Sequence, residues 1–251
     1  MSDRQETILY KAVSDVIRFF SPKFRIEGEE NLPAGPTIIV GNHSHMYGPI
    51  AAELYTPGEH YTWCAGEMMD IKEVPEYAYR DFWSYKPKAV RWFYKILSYL
   101  IAPISKGFFK RAHTIPVYHD SRVMNTFRQT ITYLKNGSRV VIFPEHRVHH
   151  NNIICEFQDR FIDVARLYYR KTGESISFVP MYLCPKMKKI VYGKPIVYSA
   201  DVPIVEERKR ICSELMESIT DMAVSMPVHT VVPYENVSRR HYPKSIPLEV
   251  Y

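Results

Sequence analysis

The chain lacks most of the features that settle a protein's class quickly. It has only four cysteines (Cys64, Cys155, Cys184 and Cys212), widely spaced and with no Cys-x-x-Cys pair. That argues against a disulfide framework and reads as reduced, mostly buried thiols of a cytoplasmic protein. Its most apolar segment is shorter than the ~20 residues needed to span a bilayer. No internal repeat or low-complexity block is visible. There is no zinc-finger spacing and no aromatic RNA-binding motif, so nucleic acid is not an expected partner. The opening MSDRQETILYKAV mixes acid and base ahead of any apolar run and does not read as a signal peptide.

What is present fits a folded protein that also meets an interface. Hydrophobic content is 46%, aromatic content 14% with 19 Tyr, and 33 basic residues exceed 27 acidic ones to give a net charge of +6. Such an excess suits anionic partners, lipid headgroups or phosphorylated molecules. At 251 residues the simplest organisation is an N-terminal amphipathic helix over 1–22, one α/β body over 23–226 and an extended tail over 227–251.

The elements alternate. Ile8, Val13, Val16, Ile17 and Phe20 predict a helix over Glu6–Phe20, stopped by Ser21-Pro22. Lys23–Glu27 reads as a short strand. Thr37-Ile38-Ile39-Val40 is a β-branched run, as in a strand buried on both faces. Pro49 suits the first turn of a helix that continues to Tyr55. Strands are expected at Thr114–Tyr118, Arg139–Phe143, Ser177–Leu183 and Lys189–Val191. Helices are expected at Met124–Lys135, Phe157–Lys171 and Glu206–Val224. The fold class this implies is α/β, a mixed sheet flanked by helices. Pro180 inside "FVPMY" places that strand at an edge or a bulge.

One segment suits a membrane surface. Phe93, Ile96, Leu97, Leu100, Ile101 and Ile104 recur at helical spacing, and basic residues flank them from Lys86 to Arg111. Lys95 and Pro103 interrupt the run. It fits either a helix lying in the bilayer interface or an amphipathic helix packed on a core.

Three stretches hold the chemistry: GNHSHMYGP at 41–49, IPVYHDSR at 115–122 and VIFPEHRVHH at 141–150. His43 falls just beyond a strand's carboxyl end, where open α/β sheets place their active groups. A neutral His there can take the proton of a hydroxyl, and its other reading is a His that caps the following turn. Glu145, straight after Phe143-Pro144, reads either as an acid pointing into a cleft or as a surface-loop acid. His43 and His45, with Glu145, His146, His149 and His150, also admit a zinc site in a metal-dependent hydrolase. Against that, Met46-Tyr47-Gly48-Pro49 supplies no further ligand. Arg122, Arg147, His146, His149 and His150 are candidate phosphate contacts, or else parts of solvated basic loops.

Taken in order, IEGEENLPAGPTIIVGNHSHMYGPI, IPVYHDSR, ITYLKNGSRVVIFPEHR, FVPMY and VYGKPIV resemble the glycerolipid (lysophospholipid) acyltransferase family, of the 1-acylglycerol-3-phosphate acyltransferase type. The likeness covers about residues 24–200. It implies an O-acyltransferase of phospholipid biosynthesis, peripheral on the cytoplasmic membrane face. Such an enzyme moves a fatty acyl group from acyl-CoA or acyl-carrier protein to a lysophospholipid hydroxyl, with no cofactor and no metal. It further implies His43 as base and Glu145 on the acceptor; Asn42, Gly48, Arg122, Arg147 and His146 are the other substrate-binding residues expected beside them. The rival to catalysis is a non-catalytic lipid-binding relative.

Four positions depart from the family pattern. The family's Asp falls on Gly48, its Gly after Phe-Pro-Glu on His146, and its Arg near His119, with Arg122 the nearest guanidinium. A helical Gly is replaced around Arg160. His45, Glu67, Asp70 and Asp120 are the candidates to orient His43 instead. Gly48-Pro49 also opens a helix whose bare amides suit a phosphate or an oxyanion.

Overall fold

The computed structural model describes residues 11–246 except 13, 14, 17, 20, 22, 85, 110, 119 and 236, so the expected helix over Glu6–Phe20 lies largely outside the described residues, as does His119. In chain order the elements are β1 (Arg25–Glu27), β2 (Thr37–Gly41), α1 (Tyr47–Tyr55), β3 (His60–Ala65), α2 (Val74–Ala78), α3 (Arg91–Phe109), β4 (Thr114–Val117), α4 (Val123–Lys135), β5 (Arg139–Ile142), β6 (Glu145–His149), β7 (Cys155–Phe157), α5 (Asp163–Thr172), β8 (Ser177–Cys184), β9 (Lys189–Tyr192), β10 (Ile196–Val197) and α6 (Ile204–Val224). The fold is mixed α/β. The chain forms two compact units, one of Met1–Ser21 with Thr62–Thr126, the other of Pro22–Tyr61 with Phe127–Tyr251.

In the second unit the strand order is β1-β9-β8-β2-β5, with β10 also on β8. β2 lies between β5 and β8 and runs parallel to both. All five of its residues are buried, as a β-branched run covered on both faces should be. Its Ile39 packs with Val141, Val179, Met181, Ala51 and Ala52 in one cluster. Against β8 lies α6, whose buried Ile211, Leu215, Ile219 and Ala223 recur every four residues.

Two expectations for this unit are corrected. β8 is an interior strand, not an edge. It tolerates Pro180 because the Pro180 carbonyl accepts Gly193 N–H at 2.8 Å on the β9–β10 side. The N–H and C=O of a strand residue point the same way, so the missing donor faces the gap between β9 (paired from Met181) and β10 (paired to Phe178), and the β2 ladder loses nothing. The helix expected over Phe157–Lys171 begins only at Asp163. Phe157 instead closes β7 opposite Glu145, and a 3-10 turn covers Asp159–Ile162.

The tail turns back on itself within the second unit. Thr230 bridges Lys244, Val231 N–H reaches Pro243 O at 3.0 Å, and Ser245 N–H reaches His229 O at 2.9 Å. His229 anchors it: Nδ1 donates to Pro227 O at 2.8 Å, which leaves Nε2 to accept the Tyr182 hydroxyl, also at 2.8 Å.

The first unit pairs β3 with β4 in parallel and holds its own cluster of Val74, Ala78 and Ala102. Within it α3 buries its small residues Ser98, Ala102, Ser105 and Gly107, while the large apolar ones face out, Trp92 at 65% exposure and Leu100 at 64%. Phe93, Ile96, Tyr99 and Ile104 are exposed beside them. Among the described residues no helix is long and apolar enough to cross a membrane.

Candidate active site

The site grows from the carboxyl end of β2. Asn42 is 2% exposed, and its amide is spent on the fold. Oδ1 accepts Leu183 N–H at 2.7 Å, and Nδ2 donates to Leu183 O at 3.1 Å and to Ser44 Oγ at 2.8 Å. Its expected substrate contact is therefore replaced by a tie between the ends of β2 and β8.

After His43 the backbone turns sharply. Ser44 (φ 46°) and His45 (φ 54°) are successive non-glycine residues in the left-handed region, a conformation that costs roughly 1–2 kcal/mol per residue. Such strain persists only where surrounding contacts impose it. Here Asn42 holds the Ser44 hydroxyl, which donates to Val232 O at 3.3 Å. His45 Nε2 donates to Glu235 O at 2.6 Å, which fixes the tautomer and leaves Nδ1 to accept the Tyr242 hydroxyl at 3.3 Å. The folded-back tail thus holds the turn.

The turn delivers the chain into α1 with no free amides. Tyr47 N–H reaches Ser44 O at 3.1 Å, Gly48 N–H reaches His43 O at 3.1 Å, Ile50 N–H reaches Met46 O at 3.2 Å, and Pro49 has none. The expected anion cradle at Gly48-Pro49 is thereby corrected. Gly48 serves a different need. A Cβ there would fall on the His43 carbonyl oxygen, well inside contact distance, and 3.0 Å from the Phe143 ring. Only glycine allows α1 to start this close to His43.

Glu145 opens β6 and is 3% exposed. Oε2 accepts the His43 backbone N–H, and Oε1 accepts Cys155 N–H at 2.9 Å. Burial pushes its pKa up to about 7, against the pull of those two amides. The expected acceptor-binding carboxylate is instead a brace between the His43 turn and β7, and one edge of it borders a cleft of about 210 Å³ lined also by Cys155, Tyr234, Glu235 and His241.

The His43 ring sits between two aromatic rings, Phe143 and Tyr234, each 5.6 Å away and edge-on. The ring is half-buried. Its Nδ1 is shut off from solvent without a hydrogen-bond partner among the described residues. Burial lowers the pKa to about 4, opposed weakly by the His45 backbone, so the imidazole is neutral at physiological pH. A neutral, half-buried imidazole can receive a proton from a hydroxyl brought to its accessible side. No side chain among the described residues hydrogen-bonds the ring, so Glu67, Asp70 and Asp120 do not orient it, and of His45 only the backbone acts on it.

No protein-family model matches the chain, and no curated protein does. Among solved structures, the 1-acyl-sn-glycerophosphate (LPA) acyltransferase PlsC from Thermotoga maritima is similar at 16% identity and a TM-score of 0.46, over 88% of this chain and 83% of that one.

The remaining expected residues have partners or positions of their own. Arg122, in the first unit, pairs with Asp120 at 2.8 Å and Glu73 at 3.3 Å and lies 3.7 Å over the Tyr118 ring. Asp70 in the same unit accepts Lys72 N–H at 2.9 Å. Glu67 lies in its first-unit 3-10 turn at Gly66–Met69. In the second unit His146 meets Glu156 at 3.7 Å, and Arg147 is exposed on β6. The zinc alternative needs three or four converging donors, and among the described residues no group of three His, Cys, Asp or Glu converges.

Sequence reasoning missed Tyr234, Tyr242 and the Glu235 carbonyl. Their contacts with the turn span 190 residues or more, and no local pattern encodes them.

Proposed function

We propose that the protein is an O-acyltransferase that moves a fatty acyl group from an acyl thioester, acyl-CoA or acyl-carrier protein, to the hydroxyl of a lysophospholipid-like acceptor. The observation that carries this reading is the neutral, half-buried His43 imidazole at the carboxyl end of the central parallel strand. The order of sequence blocks around it points to the same chemistry.

In the proposed step the His43 imidazole takes the acceptor's hydroxyl proton as that oxygen attacks the thioester carbon. The carbon–sulfur bond then breaks, and the imidazolium returns the proton to the departing thiolate. Without a carboxylate on the ring the imidazolium gains little stabilisation, so the base is a weak one. In compensation the brace to Glu145 and the aromatic walls fix its position. Glu145 is a positioning residue in this scheme. Arg147 is the accessible cation we assign to an anionic headgroup.

The test is mass spectrometry of the lipid product formed by purified protein from palmitoyl-CoA, or the matching carrier-protein thioester, and lysophosphatidate in mixed vesicles. His43→Ala is expected to lower turnover ~10²–10⁴-fold, the usual contribution of a general base. Equal product from wild type and His43→Ala would overturn the enzyme reading. Binding of acyl thioester with no His43-dependent product would identify a lipid-binding relative.

We also infer that α3 docks on an anionic lipid surface. Its large apolar side chains face outward, and Lys88, Lys95 and Lys106 are exposed along the same helix and its approach. Replacing Trp92 and Leu100 together by Glu removes two buried anchors of roughly 2 kcal/mol each. Co-sedimentation with vesicles containing phosphatidylglycerol should fall by more than tenfold, and raised salt should weaken wild-type binding. Unchanged sedimentation of the double variant would rule out this face.

A further inference from the structure

A cavity of about 290 Å³ lies between α5, the stretch after β10 and the start of α6, lined by Arg166, Tyr169, Arg170, Tyr198, Val202 and Ile204 among others. That volume sits at the lower edge of small-ligand sites, roughly 300–1,000 Å³. β10 pairs with Ser177 and Phe178 at the start of β8, and Tyr198 N–H reaches Ile176 O at 3.0 Å. In the parallel register of β2 and β8, Thr37 faces Ser177 and Gly41 faces Met181. The cavity therefore opens at the end of the sheet opposite His43, separated from it by about 13 Å of strand.

Its chemistry is that of an anion site. Arg166 and Arg170 are one turn apart on α5, and neither has an ion pair among the described residues. Of the acids nearby, Asp163 is taken by Arg208 at 2.6 Å, and Glu207 by Arg210 at 2.6 Å and by Ser199 N–H at 2.7 Å, while Asp201 and Glu206 are exposed to solvent. α6 begins at Ile204 with Pro203 as its cap, so no side chain covers its first amides. Glu206 and Glu207 N–H turn to Pro203 O, while Ile204 and Val205 N–H have no acceptor among the described residues. The independent sign of a ligand is Tyr198. It is 4% exposed, it lines the cavity, and its hydroxyl has no hydrogen-bond partner among the described residues. Glu207 acts most strongly among the charges on that phenol, and Arg166 and Arg170 act against it, with Asp163 on the side of Glu207. Two unpaired guanidiniums, the unpartnered hydroxyl of the buried Tyr198 and an uncapped helix start line this space, with Tyr169, Val202 and Ile204 as apolar walls.

We propose that this cavity binds an organic phosphate, the phosphate held by Arg166, Arg170, Tyr198 and the first amides of α6, and the carbon portion against Tyr169 and Val202. The site lies away from the proposed acyl-transfer centre and needs no turnover there.

The experiment titrates the full-length protein with inorganic phosphate, glycerol 3-phosphate and phosphatidic-acid vesicles, reading affinity by calorimetry and the Ile204 and Val205 amide shifts by NMR. Saturable binding of a soluble probe that moves those two amides is expected, and saturation by vesicles alone would identify the phosphate source as a lipid headgroup. Arg166→Gln with Arg170→Gln should weaken binding about tenfold or more through the loss of charge-assisted bonds, and Tyr198→Phe by a few-fold. His43→Ala should bind as wild type does, which separates this result from the fate of the acyl-transfer reading. The proposal is overturned if no probe moves the Ile204 and Val205 amides up to millimolar concentration, or if the double variant, and Tyr198→Phe should that one fail to fold, bind like wild type.

Discussion

Gly48→Asp is expected to abolish ester formation and to lower the melting temperature by roughly 5–10 °C, although it restores the carboxylate that the related sequence pattern carries at this position. Any Cβ at position 48 meets the His43 carbonyl oxygen and the Phe143 ring, and the nearest of these is backbone, which cannot swing aside. Forcing atoms into a packed site of this kind costs about 1–3 kcal/mol, more where backbone must move, and each kcal/mol shifts the melting point by about 2–4 °C in a chain of this size. The turn would open at the Gly48 N–H to His43 O bond, taking His43 out of register with its aromatic walls. Gly48→Ala serves as the control and should do nearly the same damage, since the clash belongs to the Cβ and not to the charge. Thermal unfolding followed by circular dichroism, with the lipid product assay alongside, checks both. A Gly48→Asp protein with wild-type melting and raised turnover would refute the packing argument.

Glu145 carries the second large effect. Glu145→Ala leaves the His43 and Cys155 amides buried without an acceptor, at about 1–3 kcal/mol each, so a loss of roughly 2–6 kcal/mol is expected in denaturant melts. Its pH dependence has a definite sign. Glu145 has its pKa raised from 4.5 to about 7, so between those values the folded state binds more protons than the unfolded state, and stability falls as pH rises. His43 has its pKa lowered from 6.5 to about 4, so in that interval the unfolded state binds more protons, and stability rises with pH. In the wild type the two slopes oppose each other wherever the windows overlap. His43→Gln should expose the falling slope, up to ~3 kcal/mol lost between pH 4.5 and 7, and Glu145→Gln the rising one between pH 4 and 6.5. Parallel pH profiles for the two variants would show that neither group titrates as its burial dictates.

Much of the fold was legible because its signals are local. Thr37-Ile38-Ile39-Val40 is β-branched throughout, and its one hydroxyl, on Thr37, bonds locally to Gly35 O, so the run suits cover on both faces, and every residue of its strand is buried. The four-residue recurrence along α6 likewise needed only one apolar surface to lie on. β3 and the β6–β7 hairpin were not legible. The hairpin exists through the pairing of Glu145 with Phe157 and of His149 with Cys155, and its register is irregular. The outward face of α3 was undecidable from its stripe, because the same spacing serves a core or an interface; the small residues Ser98, Ala102 and Ser105 took the buried side.

The sequence by itself determined that His43 would stand at the end of a buried strand and that position 48 would carry no acid, since both are properties of the chain read in order. Tertiary structure alone decided what those residues do. It turned Glu145 and Asn42 from substrate contacts into braces and gave Gly48 a steric duty. It also laid a tail from the far end of the chain over the His43 turn. The reason is physical: burial and hydrogen-bond partnership are set by groups a hundred or more residues away, and in a low-dielectric interior those partners fix both a side chain's charge and its role.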